Sequence, residues 1–259
     1  MNAADLKSSV TASIERLAKL TSDATRSEVM LSFLKTCSRF YKYSLHNQLL
    51  IALACPHATR VAGYNDWRKF NRFVRKGEHG IPIFAPCFYK ADPKDDESPS
   101  ELRGFRVVYV FDVSQTDGED LPEPPDWISP GNSSELEEAL MNFAISKGIQ
   151  IEIKELKGKT QGRSSGGKIT LAPGTGTSTL IHELAHELFD HKHSPLSRET
   201  EELEAEAVAF AVSEHFGVPT TGSANYLALW QADSEKLLAR MDRIRVIVAE
   251  IVNSVEGTL

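Results

Sequence analysis

Residues 177–190, Thr177-Ser178-Thr179-Leu180-Ile181-His182-Glu183-Leu184-Ala185-His186-Glu187-Leu188-Phe189-Asp190, set the reading of this chain. Leu180, Ile181, Leu184 and Leu188 recur at helical spacing, so the stretch reads as an amphipathic helix with Thr177 or Ser178 as its N-cap. Side chains four apart share one helix face, which aligns His182 with His186 and lets both rings address one metal ion. Glu183, their neighbour, is placed to deprotonate a water activated by that metal, the arrangement used by zinc hydrolases. The expected cofactor is Zn2+, and the expected chemistry is peptide hydrolysis, with Glu183 taking the proton and passing it to the leaving amine.

A catalytic zinc takes three protein ligands and keeps one position open. A third histidine at position 192 is excluded, because Phe189 and Lys192 stand where the extended motif needs Gly and His. The alternative is a carboxylate from the next helical segment, 199–217, which carries Glu199, Glu201, Glu202, Glu204 and Glu206 and stops at Gly217 before Pro219. Its apolar face is expected at Leu203, Ala207, Phe210 and Ala211. Glu202 and Glu206 flank that face one turn apart, so Glu202 is taken as the third ligand and Glu206 as the group that orients a ligating histidine. Glu206 and Glu204 remain alternatives for the ligand position. Ahead of the helix, 166–173 reads as a short strand expected at the sheet edge, where it could pair with an extended peptide. His191, His193, His215 and Tyr226 are candidate oxyanion donors. The first two fall past the helix end and are expected in solvent.

The 259 residues allow two modest domains. With 41% hydrophobic and 25% charged residues, the composition is that of a globular protein and excludes a disordered one. No apolar run is long enough to cross a bilayer, so no membrane partner is expected. The three cysteines, Cys37, Cys55 and Cys87, form neither a metal pair nor a disulfide framework, which points to a reducing cytoplasm. The boundary is expected in the Pro- and Gly-rich stretch 114–134, giving domains 1–125 and 126–259. A second soft segment, 91–102, separates two strands.

The net charge of -7 is unevenly spread. Residues 39–90 hold 9 Lys and Arg against Asp66 and Glu78, leaving +7, the footprint of a surface that meets a polyanion. In 62–86, Tyr64, Trp67, Phe70 and Phe73 alternate with Arg68, Lys69, Arg72, Arg75 and Lys76. That interleaving suits single-stranded DNA, with bases stacked on rings and phosphates paired to cations. Trp67 or Tyr64 is the expected stacking platform, with Arg75 and Lys76 as phosphate contacts. Trp67 and Phe70 also fit helical core spacing. Helices are expected over 3–20, 25–40, 44–54, 65–72 and 134–147, strands near 81–89 and 105–111, and one short and one long helix in 223–252.

The segments 43–86 and 108–122 resemble the N-terminal domain of ArdC-type antirestriction proteins, most specifically at Asn47, around Trp67, in Val74-Arg75-Lys76-Gly77-Glu78-His79-Gly80 and in residues 110–116. That resemblance implies a single-stranded-DNA-binding module, with Asn47, Tyr64, Trp67, Arg68, Arg72, Arg75 and Lys76 as its candidate contacts. HELAHELFDH and ELEAEAVAFAV resemble the zincin-like metallopeptidase domain of the same proteins and, more distantly, the ImmA/IrrE metallopeptidases. In that family the third ligand is a Glu followed three residues later by a small residue, a rule met by Glu202 with Ala205 and by Glu204 with Ala207. The expected fold is therefore α+β: a helical and β DNA-binding domain, then a zincin-like domain with a small sheet and an HExxH helix. The resemblance implies a protein of mobile genetic elements, a gluzincin-type endopeptidase in antirestriction or regulatory proteolysis. The alternative is a non-proteolytic DNA-binding antirestriction protein whose metal is structural.

Overall fold

The computed structural model describes residues 3–18, 23–90, 100–121, 133–158, 160–219 and 234–259. Helices and strands are mixed, as expected, and the chain divides into two compact units. The first unit holds residues 1–17 and 43–123, the second 18–42 and 124–259. The expected division at 125/126 thus differs over 18–42, which contains helix α2 (Asp23–Arg39). Met30, Phe33, Leu34 and Cys37 form a buried stripe on α2, and that stripe packs on helices α7 and α8 of the second unit. An apolar stripe announces that it will be covered and is silent about which later helix covers it.

The first unit begins with helix α1 (Ala3–Ala18) and continues with α3 (Leu45–Ala54), strand β1 (Val61–Gly63) and the short helix α4 (Tyr64–Lys69). Helix α4 stops earlier than expected, because Asn71 turns the chain at φ 54° and releases Arg72–Val74 as strand β2. Strands β3 (Ile81–Lys90) and β4 (Ser100–Asp112) form a long hairpin, and β1 adds to β4, giving the antiparallel order β1-β4-β3. A separate ribbon pairs β2 with β5 (Thr116–Gly118). One face of the hairpin is core, with Ile81, Ile83 and Val110 no more than 6% exposed.

Strand β3 is an edge, and its outward backbone groups are closed chemically. Asn47 from α3 donates its amide N–H to the Phe84 carbonyl and accepts the Phe84 N–H, both at 2.8 Å. Two residues to either side, Pro82 and Pro86 have no N–H to offer. From Pro82 to Pro86 the outward side of this edge therefore presents no free donor to an incoming strand.

Asp112, only 1% exposed, ties the end of β4 to the rest of the unit. Its carboxylate accepts N–H groups from Thr59 at 2.8 Å, Arg60 at 3.1 Å and Ser114 at 2.9 Å, capping the 3-10 turn Val113–Gln115. Gln115 returns a bond to the Asp112 N–H and donates to Glu78 and the His79 carbonyl. Two sequence motifs are thereby knitted together, 74–80 and 110–116.

In the second unit, α5 (Ser133–Ser146) leads to strand β6 (Gln150–Ile153), then β7 (Gly162–Ser164) and β8 (Lys168–Leu171). The sheet order is β6-β8-β7, with β6 parallel and β7 antiparallel to β8. The strand expected at the edge, β8, is therefore central, and β7 is the edge instead. Pairing decides this: Ile169 and Leu171 are buried, while Gly162–Ser164 has a partner on one side only among the described residues. Helix α6 (Thr177–Leu188) follows, capped by Gly176 rather than Thr177 or Ser178, since the Thr177 hydroxyl donates instead to Glu137 at 2.7 Å. Helix α7 (Arg198–Phe216) starts at an Ser197 cap and ends at Gly217, φ 69°, as its Gly stop requires. Helix α8 (Ser234–Glu256) is the long C-terminal helix. The shorter helix expected before it, with Tyr226, lies outside the described residues, as do 91–99 and 122–132 of the two soft segments. Among the described residues no helix is long and apolar enough to cross a membrane.

The Asp112 network yields a test. Burial raises the Asp112 pKa, but the bonds from Ser114, Thr59 and Arg60 outweigh it and leave the carboxyl below its usual 3.8. A depressed folded pKa contributes stability that is full above the unfolded value and is lost as pH falls through the folded one. Asp112→Asn, which keeps the shape and loses the charge, is expected to destabilise the protein by about 1–3 kcal/mol at pH 7. Thermal melts of both proteins should converge as pH drops below 3.8.

Candidate functional site

Helices α6 and α7 pack against each other, and Ala185 on the first and Ala205 and Ala207 on the second are fully buried. That packing brings carboxylates of α7 onto the histidine face of α6. His182 Nε2 and His186 Nε2 lie 3.1 Å apart, and Glu202 Oε2 is 3.4 Å from the first and 3.5 Å from the second. Among the described residues this is the cluster whose ligand atoms converge on one point. Donors sharing one tetrahedral ion at about 2.0–2.1 Å must stand roughly 3.3 Å apart, so the triangle fits a single zinc-sized cation.

The tautomers follow from what backs the rings. Glu206 Oε2 stands 3.3 Å from His182 Nδ1, an electrostatic contact short of a well-aligned hydrogen bond. His186 Nδ1 is 2.8 Å from His191 Nδ1, and His191 Nε2 is 3.2 Å from Glu204 Oε2. With Glu204 accepting from His191 Nε2–H, His191 Nδ1 becomes an acceptor and takes His186 Nδ1–H. That leaves the His186 Nε2 lone pair facing the cluster. Burial, and then the charge of His182, lower the His186 pKa to about 4, so this ring is neutral at pH 7. His182 is also buried, but the Glu206 carboxylate beside its Nδ1 and the charges of Glu183 and Glu202 prevail and raise its pKa.

His191 departs from expectation: it is 6% exposed, not in solvent. Asp190 adopts a left-handed turn, φ 52°, which folds the chain back under α6 and stacks His191 on Phe189 at 4.9 Å. Glu204, offered as an alternative ligand, is 0% exposed and backs His191, with Arg243 3.6 Å from its second oxygen. Of the expected apolar face, Ala207, Phe210 and Ala211 are buried, while Leu203 is half-buried and its neighbour Glu204 is buried. Helical spacing alone gave no reason to bury a carboxylate, and only its pairing with His191 makes that tolerable. His193 is exposed beside Asp190, and His215 is held by the Ser38 carbonyl and Glu256, away from the cluster lining.

Glu183 is 8% exposed yet lines the cleft of about 540 Å³ in front of the cluster, together with Gly162, Arg163, Ser164 and Arg198. Burial raises its pKa, against the opposing influence of His182 and of the Ser164 N–H. A Cβ at Gly162 would stand 2.7 Å from Glu183 Cγ and Oε1, so only glycine lets β7 close on this carboxylate. Glu187, one turn on, accepts from Ser164 Oγ and the Ser165, Gly166 and Gly167 N–H groups, pinning the β7–β8 turn to α6.

The seven residues expected to touch DNA do not form one surface. Trp67 is 2% exposed and donates its indole N–H to the Phe111 carbonyl, so it cannot stack on a base. Asn47 closes the β3 edge as described. Arg72 is 9% exposed, with its guanidinium bound to Thr116 and to the Gly118 and Glu119 carbonyls. Arg75 is paired with Glu78 at 2.9 Å and Asp117 at 3.4 Å. Tyr64, Arg68 and Lys76 remain on the surface.

Residues 3–120, a little under half of the chain, match the model of the N-terminal domain of anti-restriction factor ArdC. The family match spans the first unit and also takes in helix α2, which its contacts give to the second. An uncharacterized protein of Bacillus anthracis is 26% identical over 286 residues, an alignment that takes in 88% of this chain. The chain spans about half, 48%, of that curated relative. Two crystal structures of the antirestriction ArdC protein from the R388 plasmid, one metal-free and one Mn(II)-bound, are similar with a TM-score of 0.48 each. They are 17% and 19% identical, over 84% of this chain and 86% of theirs.

The chain of contacts behind His186 predicts how metal affinity responds to mutation. Competition titrations against a chelator should show Zn2+ affinity abolished in His182→Ala and weakened about 10–100-fold in His191→Leu and Glu204→Gln, whose ligands are intact.

Proposed function

We propose that this chain is a zinc-dependent metalloendopeptidase of the gluzincin type, with a zincin-like second unit coupled to a single-stranded-DNA-binding first unit. Its role is antirestriction or regulatory proteolysis linked to mobile DNA, with DNA and a protein substrate as partners. The observation that carries the reading is the convergence of His182 Nε2, His186 Nε2 and Glu202 Oε2 at 3.1–3.5 Å on an open cleft. Two imidazoles and one carboxylate favour zinc over the hard cations, which take oxygen ligands. When bound, the metal supplies a Lewis acid that polarises a carbonyl and makes water acidic.

The residues then divide the work. Glu183 holds the proton between water and the departing amine, and its burial, which raises its pKa, favours that proton-carrying role. Gly162 and the Ser164 N–H set where its carboxylate sits. Strand β7, the sheet edge beside Glu183, offers backbone groups to an extended peptide across the cleft. Glu206, His191 and Glu204 hold the two rings in their ligating tautomers.

One observation favours a second reading. Among the described residues the cleft is lined by no tyrosine, and by no histidine outside the ligands and their buried support. A non-proteolytic DNA-binding protein with a structural metal would need no oxyanion donor.

The test separates them. In Glu183→Gln, bound zinc is expected to stay stoichiometric while cleavage of a protein substrate falls about 10²–10⁴-fold. Retained proteolysis would remove Glu183 from its role, and full antirestriction protection in this variant would favour the second reading. Gly162→Ala should likewise retain metal and lose about 10²-fold in rate, because it displaces the base.

A further inference from the structure

We propose that single-stranded DNA binds on the exposed face of the β3–β4 hairpin, with its bases stacked on Tyr109 and Phe105. This rests on the DNA-binding reading above and gives it a surface that the 62–86 segment alone does not provide.

Burial alternates at the end of strand β4, from Tyr109 to Asp112. Val110 is buried with Ile81 and Ile83, whereas Tyr109 is 50% and Phe105 56% exposed on the opposite face. Phe111 shares that face, two residues beyond Tyr109. Its ring tip and the Tyr109 ring lie over Gly80, where a Cβ would come within 2.8 Å of Tyr109 Cβ and 3.0 Å of Phe111 Cζ. Glycine there keeps the rings low against the sheet. Tyr64 meets Phe111 edge-on at 6.2 Å and carries the Arg68 guanidinium 5.1 Å above its own ring. Phe105, Tyr109 and Phe111 thus share one face of the strand, with Val107 between the first two, so Phe105 and Tyr109 stand roughly 13 Å apart along the strand and a cation lies at the Tyr64 end. Sheet faces that carry such rings are a recurrent platform for unpaired bases, which stack on them without regard to sequence.

The same geometry selects among occupants. A partner strand, including one from a second copy of this chain, would need the β3 edge, and Pro82, the Asn47–Phe84 pair and Pro86 close it. An apolar protein surface on the face would strip water from the Arg68 guanidinium without a counter-charge. A phosphodiester supplies that charge.

The experiment uses the full chain and a fluorescein-labelled oligothymidylate of about 20 nucleotides, long enough to cross the face. Fluorescence anisotropy should show binding by the wild type and at least a tenfold loss of affinity in Tyr109→Ala/Phe105→Ala, from about 1–3 kcal/mol per stacked base. Phe70→Ala/Phe73→Ala, which removes rings 53% and 59% exposed elsewhere in the unit, should change affinity less than about twofold. Should the first double variant fail to fold, Tyr109→Trp reports directly: its added indole emission should be quenched by the oligonucleotide. Unchanged affinity in the first double variant, or unquenched emission in Tyr109→Trp, with wild-type binding intact, overturns this surface and leaves the DNA reading standing. No binding by the wild type removes that reading and this surface with it. Tighter binding of an oligouridylate of equal length overturns the assignment to DNA.

Discussion

The packing of α6 against α7 sets the architecture of the second unit, because it brings the carboxylates of one helix within reach of the histidines of the other. Three acidic residues of α7 then reach histidines by different routes. Glu202 comes to both Nε2 atoms, Glu206 to the Nδ1 of His182, and Glu204 to His191. Glu202 and Glu206 share one face of the helix and Glu204 lies between them in sequence. The turn at Asp190 is what carries His191 round to meet it. A wider separation of the helices would take the carboxylates away from the rings.

Polar satisfaction organises the first unit in a comparable way. Its small sheet is held by side chains that act as backbone: Asn47 replaces a missing strand along β3, and Asp112 collects three N–H groups at the end of β4. Trp67 and Arg72 serve the same frame, one bonded to a β4 carbonyl and the other threaded into the β2–β5 ribbon. The motifs most specific to the ArdC family in this chain are therefore largely framework. What they leave exposed is a flat row of rings.

Much of the metal cluster was legible in the sequence because it is local. His182 and His186 face one way by helical geometry alone, and Glu202 followed from its place beside an apolar stripe one helix later. Asn47, Trp67 and Arg72 were misread as contacts for the converse reason. A polar or aromatic residue has the same composition whether it meets solvent or the backbone of a strand 37 to 46 residues away. His191 was missed because a residue just past a helix end is ordinarily wet, and a left-handed turn at a non-glycine residue leaves little trace in sequence.

By itself, the chain's order of residues determined its periodic elements, the paired imidazoles and the charge bias of its N-terminal part, since each depends on neighbours within a turn or two. Tertiary structure alone decided that α2 joins the second unit, that β7 rather than β8 is the edge beside Glu183, and that Glu204 is buried behind His191. Those outcomes depend on which of several apolar or polar surfaces, equivalent in pattern, find each other across long stretches of chain. That choice is made by packing volume and by the cost of leaving a buried charge or N–H without a partner.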